Sequence, residues 1–118
     1  MTYLKYYKKE NQDFPDYTTT YLNQLETRGL CQLVTQELKL KPLTIKFRNG
    51  LKTIGIYHEN KNQITYPNQE KHKVLSIAHE LAHHLDVHRN GTYKGRKAHT
   101  KKHRTCLKMI LKLYDKTQ

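Results

Sequence analysis

Residues 74–87 read VLSIAHELAHHLDV. Its apolar residues recur at intervals of three and four, which is the period of an α-helix with one buried face. We predict a helix from about residue 70 to residue 87. The apolar stripe comprises Val74, Ile77, Ala78, Leu81, Ala82 and Leu85.

The same stretch carries the motif His79-Glu80-Leu81-Ala82-His83. Residues four apart on a helix share one face, about 6 Å apart in rise, so His79 and His83 can bind one Zn²⁺ ion. Glu80 follows the first histidine, and from there its carboxylate can reach a water on the metal without binding the metal. Zinc peptidases use this arrangement, with such a glutamate as general base. We therefore predict zinc as cofactor and Glu80 as catalytic residue.

A catalytic zinc site needs a third protein ligand and leaves a fourth position for water. No glutamate follows Glu80, which excludes the class of peptidases with a downstream glutamate ligand. The metzincin extension needs glycine at position 86 and histidine at position 89, where this chain has Asp86 and Arg89. The candidates that remain are His84, Asp86, His88, His99, His103 and Asp115.

Among these candidates we predict His99 as the third ligand, with His103 and His88 as alternatives. His99 follows a loop that is long enough to return across the motif helix. His103 lies one helical turn further along the same face. His88 follows His83 by only five residues and would need the helix to break sharply at Val87.

The remaining sequence predicts an α+β domain over residues 18–118, preceded by an N-terminal arm at residues 1–17. A helix extends from residue 18 to about residue 41, where Pro42 ends it. Strands are predicted at residues 43–48, 53–58 and 63–66, with a polar hairpin turn at residues 59–62. A last helix runs from about residue 99 to residue 115. Helices would cover one face of this small three-stranded sheet.

This order of elements resembles the SprT-like metallopeptidase domain, the family of Spartan, over about residues 18–115. The family's third zinc ligand is the histidine of a His-Gly-x-x-Phe-like segment, and His99-Thr100-Lys101-Lys102-His103 corresponds to it. The resemblance implies a zincin-like fold and His99 as ligand, although Thr100 replaces the glycine and His103 the aromatic residue. It also implies a zinc-dependent endopeptidase, which in some members acts on proteins bound or crosslinked to DNA.

Charge predicts a second kind of partner. The net charge is +12, from 22 Lys and Arg against 10 Asp and Glu, which favours polyanions. A basic run follows the motif, and we expect it to hold a phosphate backbone without sequence specificity; a solvated basic loop explains it equally well. The alternative function is a basic nucleic-acid-binding protein with a structural zinc site. The residues predicted to bind nucleic acid are Lys94, Arg96, Lys97, Lys101 and Lys102.

Compartment and assembly follow from what the chain contains. No segment has the length and apolarity of a signal peptide or of a membrane span. Cys31 and Cys106 lie among apolar neighbours and predict buried, reduced thiols. We expect a cytoplasmic monomer that does not contact membranes. Its protein or peptide substrate would pair with the edge of the sheet, expected at the strand of residues 63–66.

Overall fold

The computed structural model describes residues 3–118; Met1 and Thr2, at the start of the predicted arm, lie outside it. The described chain is a compact α+β fold. Its helices are α1 (Tyr3–Asp13), α2 (Gln24–Glu37), α3 (Val74–Asn90) and α4 (Lys101–Asp115). Its strands are β1 (Tyr21–Asn23), β2 (Thr44–Arg48), β3 (Ile56–His58), β4 (Gln63–Pro67) and β5 (Lys71–Lys73).

The three predicted strands form one sheet, in the order β2-β4-β3. Strands β3 and β4 are antiparallel, as the polar turn between them predicts, with Tyr57 opposite Ile64. Strands β2 and β4 are parallel, with Ile45 also opposite Ile64. Strands β2 and β3, which lie on either side of the turn at Asn49-Gly50, therefore do not pair with each other. Strand β4 is central, and β3 lies at an edge of the sheet.

A second, two-stranded sheet was not predicted. Strand β1 pairs antiparallel with β5, with Leu22 opposite His72. Each of these short strands leads directly into a helix, β1 into α2 and β5 into α3. Helix α2 begins later than predicted because Asn23 caps it: the Asn23 side chain accepts from the Glu26 backbone amide, and the Glu26 carboxylate accepts from the Asn23 amide.

Helix α3 is the centre of the domain. All six residues of the predicted apolar stripe are buried, which confirms the buried face. Helix α4 packs along α3 through Cys106, Leu107 and Ile110, and Cys31 and Cys106 are buried free thiols, as predicted. Helix α3 continues to Asn90, where Gly91 follows with a positive φ of 91°, a conformation that glycine adopts readily.

Helix α1 lies within the segment predicted as an arm. Two of its side chains, Tyr6 and Glu10, are buried, so this helix packs against the domain that the arm was expected to precede. Arg104 of α4 forms an ion pair with Asp13 at the end of α1 and places its guanidinium over the Tyr6 ring. Within the described residues, no helix is both long and apolar enough to span a bilayer.

Candidate metal centre

Helix α3 buries polar side chains as well as apolar ones. His79, Glu80, His83, His84 and Asp86 are all buried along this helix. Buried polar groups need partners, because an unmet donor or acceptor in the interior costs about 1–3 kcal/mol. The hydrogen-bond partners of these side chains therefore indicate whether this face of α3 could bind a ligand.

His79 and His83 point their Nε2 atoms at each other, 3.3 Å apart. The Nδ1 atom of His79 lies 2.8 Å from each carboxyl oxygen of Glu10. When Glu10 is ionised, both oxygens can only accept, so Nδ1 carries the proton. The Nδ1 atom of His83 lies 2.7 Å from the Tyr93 hydroxyl. That hydroxyl donates to Asp86 at 3.0 Å, and it therefore accepts from His83.

Both Nε2 atoms thus present lone pairs to the same point. Burial, together with the neighbouring histidines, lowers the pKa of His79 and of His83 well below the usual value. Neutral rings with protonated Nδ1 atoms cannot hydrogen-bond to each other through Nε2. A cation between the two atoms would satisfy both lone pairs, and neutral imidazole is the form that binds metal.

His99 brings another Nε2 atom close to His79, 3.2 Å from Nε2 of that residue. Tetrahedral zinc holds its nitrogen ligands at about 2.0–2.1 Å, which places those nitrogens roughly 3.3 Å from one another. The observed separations of 3.2 and 3.3 Å fit such an ion. His99 lies in the loop before α4, ahead of the helix N-cap Thr100.

His103 also lies close to the motif histidines. Ring nitrogens of His79, His83 and His103 are all within 4.8 Å of one another, so three buried histidines could hold a metal ion. Hydrogen bonding nevertheless distinguishes His103 from His99. Its Nε2 lies 3.0 Å from the backbone carbonyl of His79 and must donate to it, while its Nδ1 lies 2.6 Å from the Tyr6 hydroxyl.

The two contacts of His103 use both of its ring nitrogens. Burial lowers the pKa of His103 to about 3, so the ring is neutral and carries one proton, on Nε2. The Nδ1 lone pair then accepts from Tyr6. His103 therefore supports the backbone of His79, whereas His99 directs Nε2 into the cluster. His88 is exposed in the last turn of α3 and is not part of the described histidine cluster.

Glu80 completes the chemistry of the cluster. Only 2% of this residue is exposed, and its Oε2 atom lies 3.9 Å from Nε2 of His79. That oxygen is buried and has no hydrogen-bond partner among the described residues. Burial, and then the charge of Glu10, raises the pKa of Glu80 to about 8. An unpartnered carboxylate oxygen beside converging lone pairs fits a metal with a bound water.

A cavity of about 210 Å³ opens onto this group. Glu80, His83 and His99 line one side of it. Edge strand β3 lines the other side with Ile56 and Tyr57, and its remaining lining residues are Tyr7, Thr53, Gly55, Tyr93 and Ala98. The site therefore lies between the edge of the sheet and the motif helix, where an extended chain could enter.

Gly55 sets the distance between the sheet and Glu80. A Cβ atom at this position would lie 2.8 Å from Cγ of Glu80 and 3.2 Å from Cδ1 of Tyr66. Contacts below 3.0 Å are not tolerated without movement, so any side chain here displaces the carboxylate or the strand. Sequence reasoning missed Gly55, because a single glycine within a strand-like segment shows only that a close approach is possible.

Sequence reasoning also missed Glu10, whose carboxyl group is the hydrogen-bond partner of Nδ1 of His79. The signal that could have found it is the spacing of Tyr6, Tyr7 and Glu10, which recur at helical intervals in an otherwise polar segment. Sequence reasoning did not place Tyr93 in the metal site either. In the structure its hydroxyl holds His83.

The predicted nucleic-acid-binding residues separate into two groups. Lys94, Lys97, Lys101 and Lys102 are exposed. Arg96 instead turns inward: its guanidinium lies 3.3 Å from the carboxylate of Asp86 and 4.5 Å from the centre of the Tyr93 ring. Arg96 therefore supports the Tyr93–Asp86 pair behind His83.

Comparison with known proteins finds no family model, no curated protein and no solved structure that matches this chain. The resemblance to SprT-like domains therefore depends on the sequence motif and the order of elements alone. The fold and the histidine cluster stand on the geometry described above.

Replacing Gly55 with alanine should destabilise the protein by about 1–3 kcal/mol, because the new methyl group overpacks the contact with Glu80. The matched control is Gly29→Ala in α2, where nothing lies within 4 Å of the new atom. That change should stabilise the helix by about 0.5–1 kcal/mol. Urea unfolding of both variants measures the two free energies. A Gly55→Ala protein as stable as wild type would show that the close approach is not a constraint.

Proposed function

We propose that this protein is a zinc-dependent metalloendopeptidase resembling the SprT-like group. The observation that carries the proposal is the close approach of three histidine Nε2 atoms beside the buried, unpartnered Oε2 atom of Glu80. Glu80 and two of these histidines, His83 and His99, line one cavity. Zinc bound there would polarise the scissile carbonyl and make water nucleophilic at neutral pH.

The proposed ligands are His79, His83 and His99. All three are imidazoles, a donor set that suits zinc. The separations from Nε2 of His79 to Nε2 of the other two fit tetrahedral coordination. Their tautomers support the same assignment. Glu10 and Tyr93 accept the Nδ1 protons of His79 and His83, which leaves Nε2 of both rings to bind the ion.

Glu80 is the proposed general base. It accepts the proton of the attacking water and passes it to the leaving nitrogen, which needs a carboxyl group that can change its protonation state near neutral pH. Burial supplies this property by raising the pKa of the Glu80 carboxyl to about 8. Gly55 keeps the carboxylate in place by leaving room for it against β3.

An extended substrate is proposed to add to the edge of β3. The sequence favoured β4 as this edge, which is wrong, because β4 is paired on both sides, with β2 and with β3. The described sheet ends at β3, and Ile56 and Tyr57 line the cavity above Glu80. Backbone pairing along β3 would place a peptide bond over the histidines.

A structural zinc site in a nucleic-acid-binding protein is the rival proposal. A closed site needs four protein ligands. His103 is the nearest candidate for a fourth, but its two nitrogens contact the His79 carbonyl and the Tyr6 hydroxyl. A buried carboxylate with an unpartnered oxygen has no role in a closed site. The arrangement therefore favours an open position and an enzyme.

Glu80→Gln should retain zinc and lose at least about 100-fold in peptidase activity, because the amide cannot accept the proton of water. Zinc content by elemental analysis and cleavage of a fluorescent unfolded protein measure the two effects. The control is Glu70→Gln, which removes an exposed carboxylate and should change neither. Wild-type activity in Glu80→Gln would disprove the assignment of the base.

His99→Ala should lose most of its zinc affinity, while His88→Ala should retain wild-type affinity. His103→Ala should be less stable, because Tyr6 and the His79 carbonyl lose their partner, but should still bind zinc when folded. Chelator competition on protein that is folded by circular dichroism measures the affinities. Full zinc affinity in His99→Ala, with loss of affinity in His103→Ala, would show that His103 and not His99 is the third ligand.

We also propose a nonspecific polyanion site at the start of α4. Lys97, Lys101 and Lys102, together with Arg96 and Thr100, line one depression of about 380 Å³ there, and Lys94 is exposed nearby in the same loop. The lysines are ammonium groups on flexible stems, suited to phosphate oxygens rather than to base edges. This surface adjoins His99, so a bound polyanion would lie beside the metal centre.

Changing Lys94, Lys97, Lys101 and Lys102 together to glutamine should weaken binding to duplex DNA and flatten its salt dependence. The slope of log affinity against log salt should fall by about 0.9 for each lysine that contacts a phosphate. Fluorescence anisotropy over a salt series measures it. A control with the exposed Lys41, Lys46, Lys52 and Lys112 changed has the same net charge. Equal losses in both variants would show general attraction rather than a site.

A further inference from the structure

Helix α1 reaches the metal centre through two buried side chains. Glu10 is only 1% exposed, and both of its oxygens lie 2.8 Å from Nδ1 of His79. Tyr6, one turn earlier on the same face, donates its hydroxyl to Nδ1 of His103 at 2.6 Å. His103 in turn donates to the backbone carbonyl of His79. Helix α1 therefore holds both the ring and the backbone of the first motif histidine.

The burial of Glu10 is costly unless positive charge lies nearby. Transferring an ionised carboxylate from water into a protein interior costs several kcal/mol, and neutral hydrogen-bond donors offset only part of this cost. The guanidinium of Arg104 is one nearby positive charge. Glu80 is a second buried carboxyl group beside His79.

Positive charge on the far side of His79 would meet this need. The imidazole lies between the Glu10 carboxylate and the point where the Nε2 atoms converge. A divalent cation at that point would balance the two negative charges of Glu10 and Glu80 when both carboxyl groups are ionised. A carboxylate that accepts the outer N–H of a ligating histidine also fixes the ring orientation and makes the metal-binding nitrogen more basic.

We infer that Glu10 is a positioning residue for the metal, so that helix α1 belongs to the metal centre even though Glu10 lies 69 residues from His79 in sequence. The inference depends on the proposed site at His79, His83 and His99, and it concerns metal affinity rather than peptide cleavage. A purely structural role for Glu10 is the competing explanation. That role would lower stability without changing the electronic state of the bound metal.

The test compares Glu10→Gln and Glu10→Ala in the full chain. The amide oxygen introduced by the first change can still accept from His79 but carries no charge, whereas alanine removes the acceptor. We expect zinc affinity, measured by chelator competition, to fall about 10-fold in Glu10→Gln and up to about 100-fold in Glu10→Ala. The visible absorption of Co²⁺ bound in place of zinc should also shift. Glu37→Gln, which removes an exposed carboxylate from α2, should change neither quantity.

Each outcome of this test decides between the explanations. Lower stability with unchanged zinc affinity and an unchanged Co²⁺ spectrum in both variants would overturn the inference and leave Glu10 as a structural residue. If Glu10→Ala does not fold, Glu10→Gln decides by the same two measurements. A wild-type protein that binds no zinc would instead overturn the proposed function. A wild type that binds zinc without cleaving peptides would leave the role of Glu10 intact.

Discussion

The structure depends on one electrostatic constraint, the meeting of unprotonated imidazole nitrogens in the interior of the domain. Two of them belong to His79 and His83, which the helical repeat places on one face of α3. Their Nδ1 protons are committed to Glu10 and Tyr93, so Nε2 of each ring can only accept. Lone pairs 3.3 Å apart repel each other unless a cation lies between them. The neighbouring helices, loop and strand contribute the side chains that surround these two rings.

Each neighbouring element supplies one support to that arrangement. Helix α1 supplies the carboxylate of Glu10 on the far side of His79. The loop before α4 supplies His99 and also Tyr93, which Asp86 and Arg96 fix in place. Strand β3 supplies the opposite wall of the cavity. Buried polar groups of this kind cost stability when they are incomplete, and the residues that support the site therefore extend well beyond the motif.

Sequence predicted the parts of the site that depend on local spacing. The two motif histidines are four residues apart, and the apolar residues of α3 recur at intervals of three and four. The different positions of His99 and His103 could not be predicted in this way, because both residues were predicted on one helix. Helix α4 begins at Lys101, so His99 precedes it and turns Nε2 toward His79, while His103 packs beneath that residue.

Long-range pairings were beyond the reach of sequence periodicity. The parallel pairing of β2 with β4 depends on how the intervening chain crosses the sheet, and a turn signal at Asn49 and Gly50 points to a hairpin instead. The same holds for the pairing of β1 with β5. The role of Glu10 could not be predicted for a related reason. It depends on contact with His79, which is distant in sequence, and nothing in the polar segment around Glu10 indicates that contact.

The most direct test of the account is X-ray absorption at the zinc edge of the zinc-loaded protein. Three imidazole nitrogens at about 2.0–2.1 Å, with one further oxygen from water, are the predicted coordination. That result would match the three Nε2 atoms of His79, His83 and His99 and an open position beside Glu80. A fourth imidazole or a thiolate sulfur in the coordination sphere would indicate a closed, structural site and would contradict the account.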